Sequence, residues 1–239
     1  MRNKTLAIKI GNYLYSRHFC LYKVLYAAMK SWQDAPEIKL LKASVSPGDV
    51  ALDIGANIGF FSRVLSRRVG RTGRVYAFEP EEVNFAHLQQ AVKPLGNVTV
   101  KQAAVGSAPG SITVFKSPML NVDHRTYPVD SYTSKSEVEC VSIDTFLPPD
   151  AAVSFIKMDI QGFEYAALQG MKSTLARRRG KLQMLMELWP AGLKKAGSSA
   201  SEVVGFLEEC GYCVYLLEGK KMSLLSTQAA DAHKNTPPN

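Results

Sequence analysis

The chain has 239 residues, 46% of them hydrophobic, which suffices for one sizeable core, and a formal net charge of +8. Residues 1–44 hold eight Lys/Arg against two acids, whereas the rest is nearly balanced with 21 basic and 19 acidic side chains. A nucleic-acid enzyme would spread its basic residues around a catalytic face, so this distribution argues against one. No stretch approaches the roughly 18 apolar residues of a membrane span, and Lys and Arg interrupt every apolar run that a signal peptide would need. Four cysteines are too few for a disulfide framework in a chain of this length, and a cytoplasmic protein is expected.

Residues 4–32 read as one or two amphipathic helices, with Tyr13, Leu14, Leu21, Tyr22, Leu25, Tyr26 and Met29 interleaved with Lys9, Arg17, Lys23 and Lys30. Three readings stay open. The segment is a helical cap with solvated basic residues, a basic surface helix at a membrane or a partner, or an aromatic wall of a substrate pocket. Residues 1–44 are set apart as an N-terminal helical extension, 45–227 as the catalytic domain, and 228–239, polar with two prolines, as a disordered tail.

A break at 32–36, a helical piece at 37–45 and a turn at Ser46-Pro47-Gly48-Asp49 lead to Val50-Ala51-Leu52-Asp53-Ile54-Gly55-Ala56-Asn57-Ile58-Gly59-Phe60-Phe61. This reads as a buried strand, an acid at its end, a turn of small residues and a helix with Phe60, Phe61, Val64 and Leu65 on one face. Strand, tight turn and helix N-terminus form the layout that binds a cofactor at the carboxyl edge of a parallel sheet. The spacing D-x-G-x-N-x-G is not the G-x-G-x-x-G of a dinucleotide site, which weighs against a nicotinamide dehydrogenase. Gly55 can take a positive φ and bring the backbone close to a ligand. Asn57 tolerates the left-handed region. Asp53 would repel a pyrophosphate and attract an ammonium. The set Asp53, Gly55, Asn57 and Gly59 therefore suits the methionine end of S-adenosylmethionine. Residues 74–79 read as the next strand, and Glu79 at its end is placed to accept hydrogen bonds from ribose hydroxyls.

Glu81 and Glu82 open a helix to about residue 92, residues 97–102 form a third strand, and Ala104 is small enough for an adenine ring to lie against the backbone. Residues 111–116 and 137–142 alternate like strands and read as an inserted pair around a long loop, 117–136, which contains Asn121, His124 and Arg125. Asp144 reads as a helix cap. Residues 153–158 form an apolar, central strand that ends in Asp159, and Glu164 opens a helix to about residue 177. Residues 182–186 form a strand that ends in Glu187. Ser199 and Glu202 are spaced as a capping box. The lone pair Cys210 and Cys213 reads as packing, since a zinc ribbon needs a second pair. Residues 212–217 and 221–225 form a closing hairpin.

Three segments together resemble the FkbM-type methyltransferases: Asp53-Ile54-Gly55-Ala56-Asn57-Ile58-Gly59, Phe78-Glu79-Pro80, and Ile156-Lys157-Met158-Asp159-Ile160-Gln161-Gly162-Phe163-Glu164. The likeness runs over residues 45–215. It implies a class I, S-adenosylmethionine-dependent enzyme, many of whose relatives methylate hydroxyls of sugars and natural products. It also implies an α/β, Rossmann-like, doubly wound sheet of seven mostly parallel strands with a C-terminal antiparallel hairpin, preceded here by the helical extension. Some family sequences carry a similar Asn…His-Arg segment, which implies Asn121 and Arg125 as substrate-binding residues and His124 as a general base.

In such a sheet ligands bind at the carboxyl ends of the strands, where Asp53, Asp159 and Glu187 converge. Asp53 and Glu79 are assigned to the cofactor. Asp159 or His124 is expected to take the acceptor proton, with Glu187 and Glu164 orienting the acceptor. A divalent metal held by Asp159 and Glu187 is a less favoured variant. The expected reaction is O-methylation of a hydroxyl on a sugar, a glycan or a natural-product small molecule, with no nucleic-acid partner. A non-catalytic S-adenosylmethionine-binding scaffold, or an N-methyltransferase of the same fold, is the alternative.

Overall fold

A computed structural model describes residues 2–116, 124–125, 134–219 and 221–231, with backbone alone at 2–9, 116, 124 and 125. Three helices come first: α1 (Arg2–Arg17), α2 (Phe19–Gln33) and α3 (Ala35–Ser44). The chain then alternates β1 (Val50–Ile54), α4 (Phe60–Val69), β2 (Arg74–Phe78), α5 (Glu82–Val92) and β3 (Val98–Lys101). An inserted region follows, made of β4 (Ala104–Val105), β5 (Gly110–Lys116), β6 (His124–Arg125), β7 (Ser134–Val141) and α6 (Ile143–Phe146). The chain returns through β8 (Val153–Met158), α7 (Glu164–Gln169), α8 (Lys172–Arg177), β9 (Gln183–Met186), α9 (Pro190–Lys195) and α10 (Ala200–Glu209). It closes with β10 (Tyr215–Glu218), β11 (Lys221–Leu224) and α11 (Thr227–Ala230). No helix among the described residues is long and apolar enough to cross a membrane.

The main sheet is parallel, in the order β3-β2-β1-β8-β9. Strand order reverses between β1 and β8, so the switch point lies at their carboxyl ends. Both faces of these two strands are covered, which is why they read as near-continuous apolar runs. Leu52 and Ile54 face one core with Phe78, Ile156 and Met158, whereas Ala51 faces the other with Val75, Phe155 and Leu65. Asp53 shares the second face and is fully buried.

Four expectations need correction. The seven-stranded sheet is five-stranded among the described residues, because β10 and β11 pair only with each other. β11 is exposed along its whole length, and this hairpin reaches the core through Leu216 and Leu225 rather than by joining a ladder. The inserted pair β5 and β7 does form, antiparallel, and belongs to a second sheet in the order β4-β7-β5-β6. The helix expected over 164–177 is two short helices separated at Gly170, which passes so close to Gly106 that a Cβ would meet the Gly106 carbonyl oxygen. Asp144 is a cap, but of the distant α8: its carboxylate accepts from the Ser173 and Thr174 N–H groups at 2.8 Å each. The segment 228–239 begins in order, with Ala230 buried and Asp231 accepting from the Ser201 N–H at 3.0 Å; residues 232–239 lie outside the described residues.

Helices α1 and α2 lie across the carboxyl edge of the sheet. Tyr15 Oη donates to Asn84 Oδ1 on α5 at 2.7 Å. Phe19 stacks on His87, with ring centroids 3.4 Å apart. Further along, Lys30 pairs with Asp34 at 2.6 Å, and its ammonium lies 5.9 Å from the centre of the Phe61 ring.

Candidate functional site

The turn after β1 requires its sequence. Gly55, Asn57 and Gly59 all have positive φ, at 80°, 51° and 87°. A Cβ at Gly55 would run into the Asp159 carbonyl oxygen, so only glycine lets the ends of β1 and β8 meet. Asn57 stabilises its own left-handed backbone by accepting from the Ile58 N–H at 2.7 Å. Its backbone N–H donates to Glu79 Oε2 at 2.8 Å, and the Glu81 N–H donates to Glu79 Oε1 at 3.0 Å. Each Glu79 oxygen thus takes one backbone bond and keeps a lone pair. Burial pushes the Glu79 carboxyl up to about 7, against the pull of those two bonds.

Register places the next contact. Asp53 on β1 lies opposite Lys157 on β8, a pairing between residues far apart in sequence. The Lys157 ammonium is 3.9 Å from Asp53 Oδ1, 3.6 Å from Asp159 Oδ2 and 3.3 Å from the Gly55 carbonyl oxygen, to which it donates. It also lies 5.1 Å from the centre of the Phe61 ring. Burial works to lower the Lys157 pKa, and the carboxylates of Asp159, Asp53 and Glu187 outweigh it and hold the pKa above the usual lysine value. Burial raises the Asp53 carboxyl, with Lys157 and the 2.6 Å hydrogen bond from Ser62 Oγ opposing.

Asp159, Gln161, Glu164 and Glu187 form the other half. Gln161 has φ 56° and Gly162 has φ 104°, a tight reversal in which a Cβ at Gly162 would strike the Gly192 backbone. A left-handed non-glycine residue at such a place is strained, and strain of this kind gathers at functional sites. The reversal aims Gln161 Nε2 so that it donates to Asp159 Oδ1 at 2.9 Å and to Glu187 Oε2 at 3.0 Å. Asp159 and Glu187 share the Gln161 amide, and their pKa values are pushed apart. Burial and the Asp159 charge raise Glu187, whereas Lys157 and Gln161 overcome burial and keep Asp159 below its ordinary value. Glu164 is buried and accepts from the Ile160 N–H at 3.1 Å, and burial pushes its carboxyl up to about 7.

The structure therefore brings together Asp53, Gly55, Asn57, Gly59, Glu79, Asp159, Glu164 and Glu187. Ala104 is buried in β4, opposite Cys140 of the second sheet. His124 and Arg125 form the short edge strand β6, with their side chains outside the described residues, as is the whole of Asn121. Sequence reasoning missed Lys157 and Gln161. A lysine inside an otherwise apolar, doubly covered strand is the signal that could have found the first. It also left open the role of Tyr26, which stands over this edge: burial raises its phenol, and the charges of Asp159 and Asp53 add to the effect. Among the described residues no three His, Cys, Asp or Glu side chains converge as a metal set.

S-adenosylmethionine fits these residues. Its ribose would meet the spare lone pairs of Glu79. Asp53 Oδ1 is a buried acceptor atom that accepts no hydrogen bond and would take a donor such as the cofactor's ammonium.

A parallel doubly wound sheet, a glycine turn after its first strand and a carboxylate after its second define a class I methyltransferase. The model of the methyltransferase FkbM domain family matches residues 53–214, and the chain belongs to that family. It is an S-adenosylmethionine-dependent methyltransferase. Solved structures that match the chain include a SAM-dependent methyltransferase from Aquifex aeolicus, at 20% identity over 76% of this chain and 81% of that one, with a TM-score of 0.43. A SAM-dependent O-methyltransferase from Thermotoga maritima shares 13% identity over 79% of this chain and 58% of that one, with a TM-score of 0.43. Aeropyrum pernix fibrillarin, with natively bound S-adenosyl-L-methionine, shares 15% over 76% and 66%, with a TM-score of 0.42. No curated protein matches the chain in sequence.

Cofactor affinity should depend on Glu79 and on pH. Glu79→Ala should weaken S-adenosylmethionine binding about 30-fold, the worth of about 2 kcal/mol of charge-assisted hydrogen bonding. The ionised carboxylate is the form that accepts from hydroxyls, and its pKa before binding is about 7. Affinity of the parent protein should therefore rise about tenfold between about pH 6 and pH 8, and that rise should vanish in Glu79→Ala. Titration calorimetry at the two pH values measures both, and a flat parent profile would count against ribose at Glu79.

Proposed function

We propose that the protein is an O-methyltransferase acting on a hydroxyl of a sugar, a glycan or a natural-product small molecule. The observation that carries this reading is the surplus of acceptor atoms at the carboxyl ends of β8 and β9. Gln161 Oε1 and Glu164 Oε2 are buried without a donor beside the Asp159–Glu187 pair. A group entering here has to donate a hydrogen bond and then give up a proton, which a hydroxyl does.

The bound cofactor supplies a methyl group already activated on a positively charged sulfur. The chain has to orient the acceptor oxygen and remove its proton. Asp159 is the ionised member of its pair, and its side chain is 35% exposed, so it is the group that meets the acceptor. Lys157 and Gln161 hold that carboxylate in place. Glu187, protonated within the pair, and Glu164 orient the acceptor. Asn121, His124 and Arg125 are kept on the acceptor side on the strength of the family resemblance, and Ala104 on the adenine side.

The test has two parts. Titration with S-adenosylmethionine and S-adenosylhomocysteine should give micromolar binding, and absence of heat with the folded protein would favour the scaffold reading. Release of S-adenosylhomocysteine should then be followed against sugars, glycans and hydroxylated natural products, with matched amines as the comparison set. Turnover confined to amines would replace the proposal with N-methylation.

A further inference from the structure

We infer that α2 docks the protein on the surface of a bilayer that contains anionic lipid. The helix carries two opposed apolar faces. Phe19 turns inward onto His87, and Tyr22 and Tyr26 stack on each other, with Tyr26 facing the charges of Asp159 and Asp53. Leu21, Val24, Leu25, Met29 and Trp32 recur at helical spacing on the other side, and all are exposed, Trp32 at 81%. Ile10 and Tyr13 of α1 are exposed as well. An outward row of large apolar side chains that ends in tryptophan is costly in water and marks an interaction face.

Charge chooses the occupant. Residues 1–33 contain six Lys/Arg and no Asp or Glu. An apolar stripe on a helix with basic surroundings is the pattern that lies in a membrane interface, where the apolar face enters the acyl boundary and the cations meet anionic headgroups. A second copy of the chain would bring the same net positive segment against itself, and like charges across an interface disfavour it. The inner face of α2 lies over Asp53 and Asp159, so a docked helix carries the site to the bilayer surface. The inference uses only the outer face and stands without the O-methylation reading.

Sedimentation with sucrose-loaded vesicles tests it. The full chain should partition at least tenfold more strongly into phosphatidylcholine vesicles containing roughly one-third phosphatidylglycerol than into phosphatidylcholine alone, and added salt should weaken the binding. The double variant Leu25→Glu/Trp32→Glu should lose that partitioning. Both positions are exposed, so its cofactor titration and its unfolding temperature should match the parent's. The inference is overturned if the parent stays in the supernatant with the anionic vesicles, or if the variant binds them as well as the parent. It is equally overturned if light scattering finds a parent dimer that the variant makes monomeric while vesicle binding is absent.

Discussion

Asp159→Asn should turn over at about one-thousandth of the parent rate, within the range that loss of a positioned proton acceptor produces. The amide keeps the shape of the carboxylate, can still meet Gln161, and cannot take a proton. Asp159 makes no side-chain bond to the β1 turn, whose contact with β8 runs through the Asp159 backbone oxygen next to Gly55. S-adenosylmethionine affinity should therefore change by less than about threefold, which is under 1 kcal/mol. The loss should fall on kcat, since the missing step belongs to the transition state. Turnover and cofactor titration on the same preparation separate the two roles. A rate within a few-fold of the parent would remove Asp159 as the proton acceptor and move attention to His124.

Lys157→Met should lower stability by about 3 kcal/mol, because breaking a buried ion pair from one side leaves carboxylates without their cation. For a chain of this size that is a fall of about 10 °C in unfolding temperature. Asp53 is fully buried and already raised by desolvation, and without Lys157 it is raised further. A carboxyl whose folded pKa lies above its unfolded value favours the folded state as pH falls through the folded pKa. The deficit of the variant should accordingly shrink on acidification towards pH 5. Adding Asp53→Asn to Lys157→Met should recover part of the loss, since it removes the charge that lost its partner. Lys39→Met, at an exposed position, is the control and should cost less than about 0.5 kcal/mol. Equal losses at Lys157 and Lys39 would mean that the cation among the carboxylates contributes nothing.

Much of the site was legible because it is local. A five-residue strand of four apolar residues and Asp53, and the glycines at positions 55 and 59, are set by side-chain period and by which residues tolerate positive φ. Glu79, Asp159 and Glu187 follow from the same reasoning, each being the acid just past the end of a strand. The Gln161 turn was visible as a turn, but not as a bridge, because a bridge needs the position of Glu187. The second sheet was half legible: β5 and β7 alternate with period two, whereas β4 and β6 are too short to carry a pattern.

What the sequence by itself determined is the set of chemical groups and the strand ends on which they sit, along with the family those segments mark. Tertiary structure decided which groups meet. Asp53 faces Lys157 through the register of β1 and β8, and register follows from which side chains both strands bury, not from either strand alone. Asp144 caps α8 because α6 is folded against it. The hairpin stays off the main sheet because its outer strand offers no buried face. The aromatic residues of α2 lie over the carboxylates because the inner face of that helix found its burial there. Local preferences act over a few residues; these four outcomes are settled by burial between segments far apart in the chain.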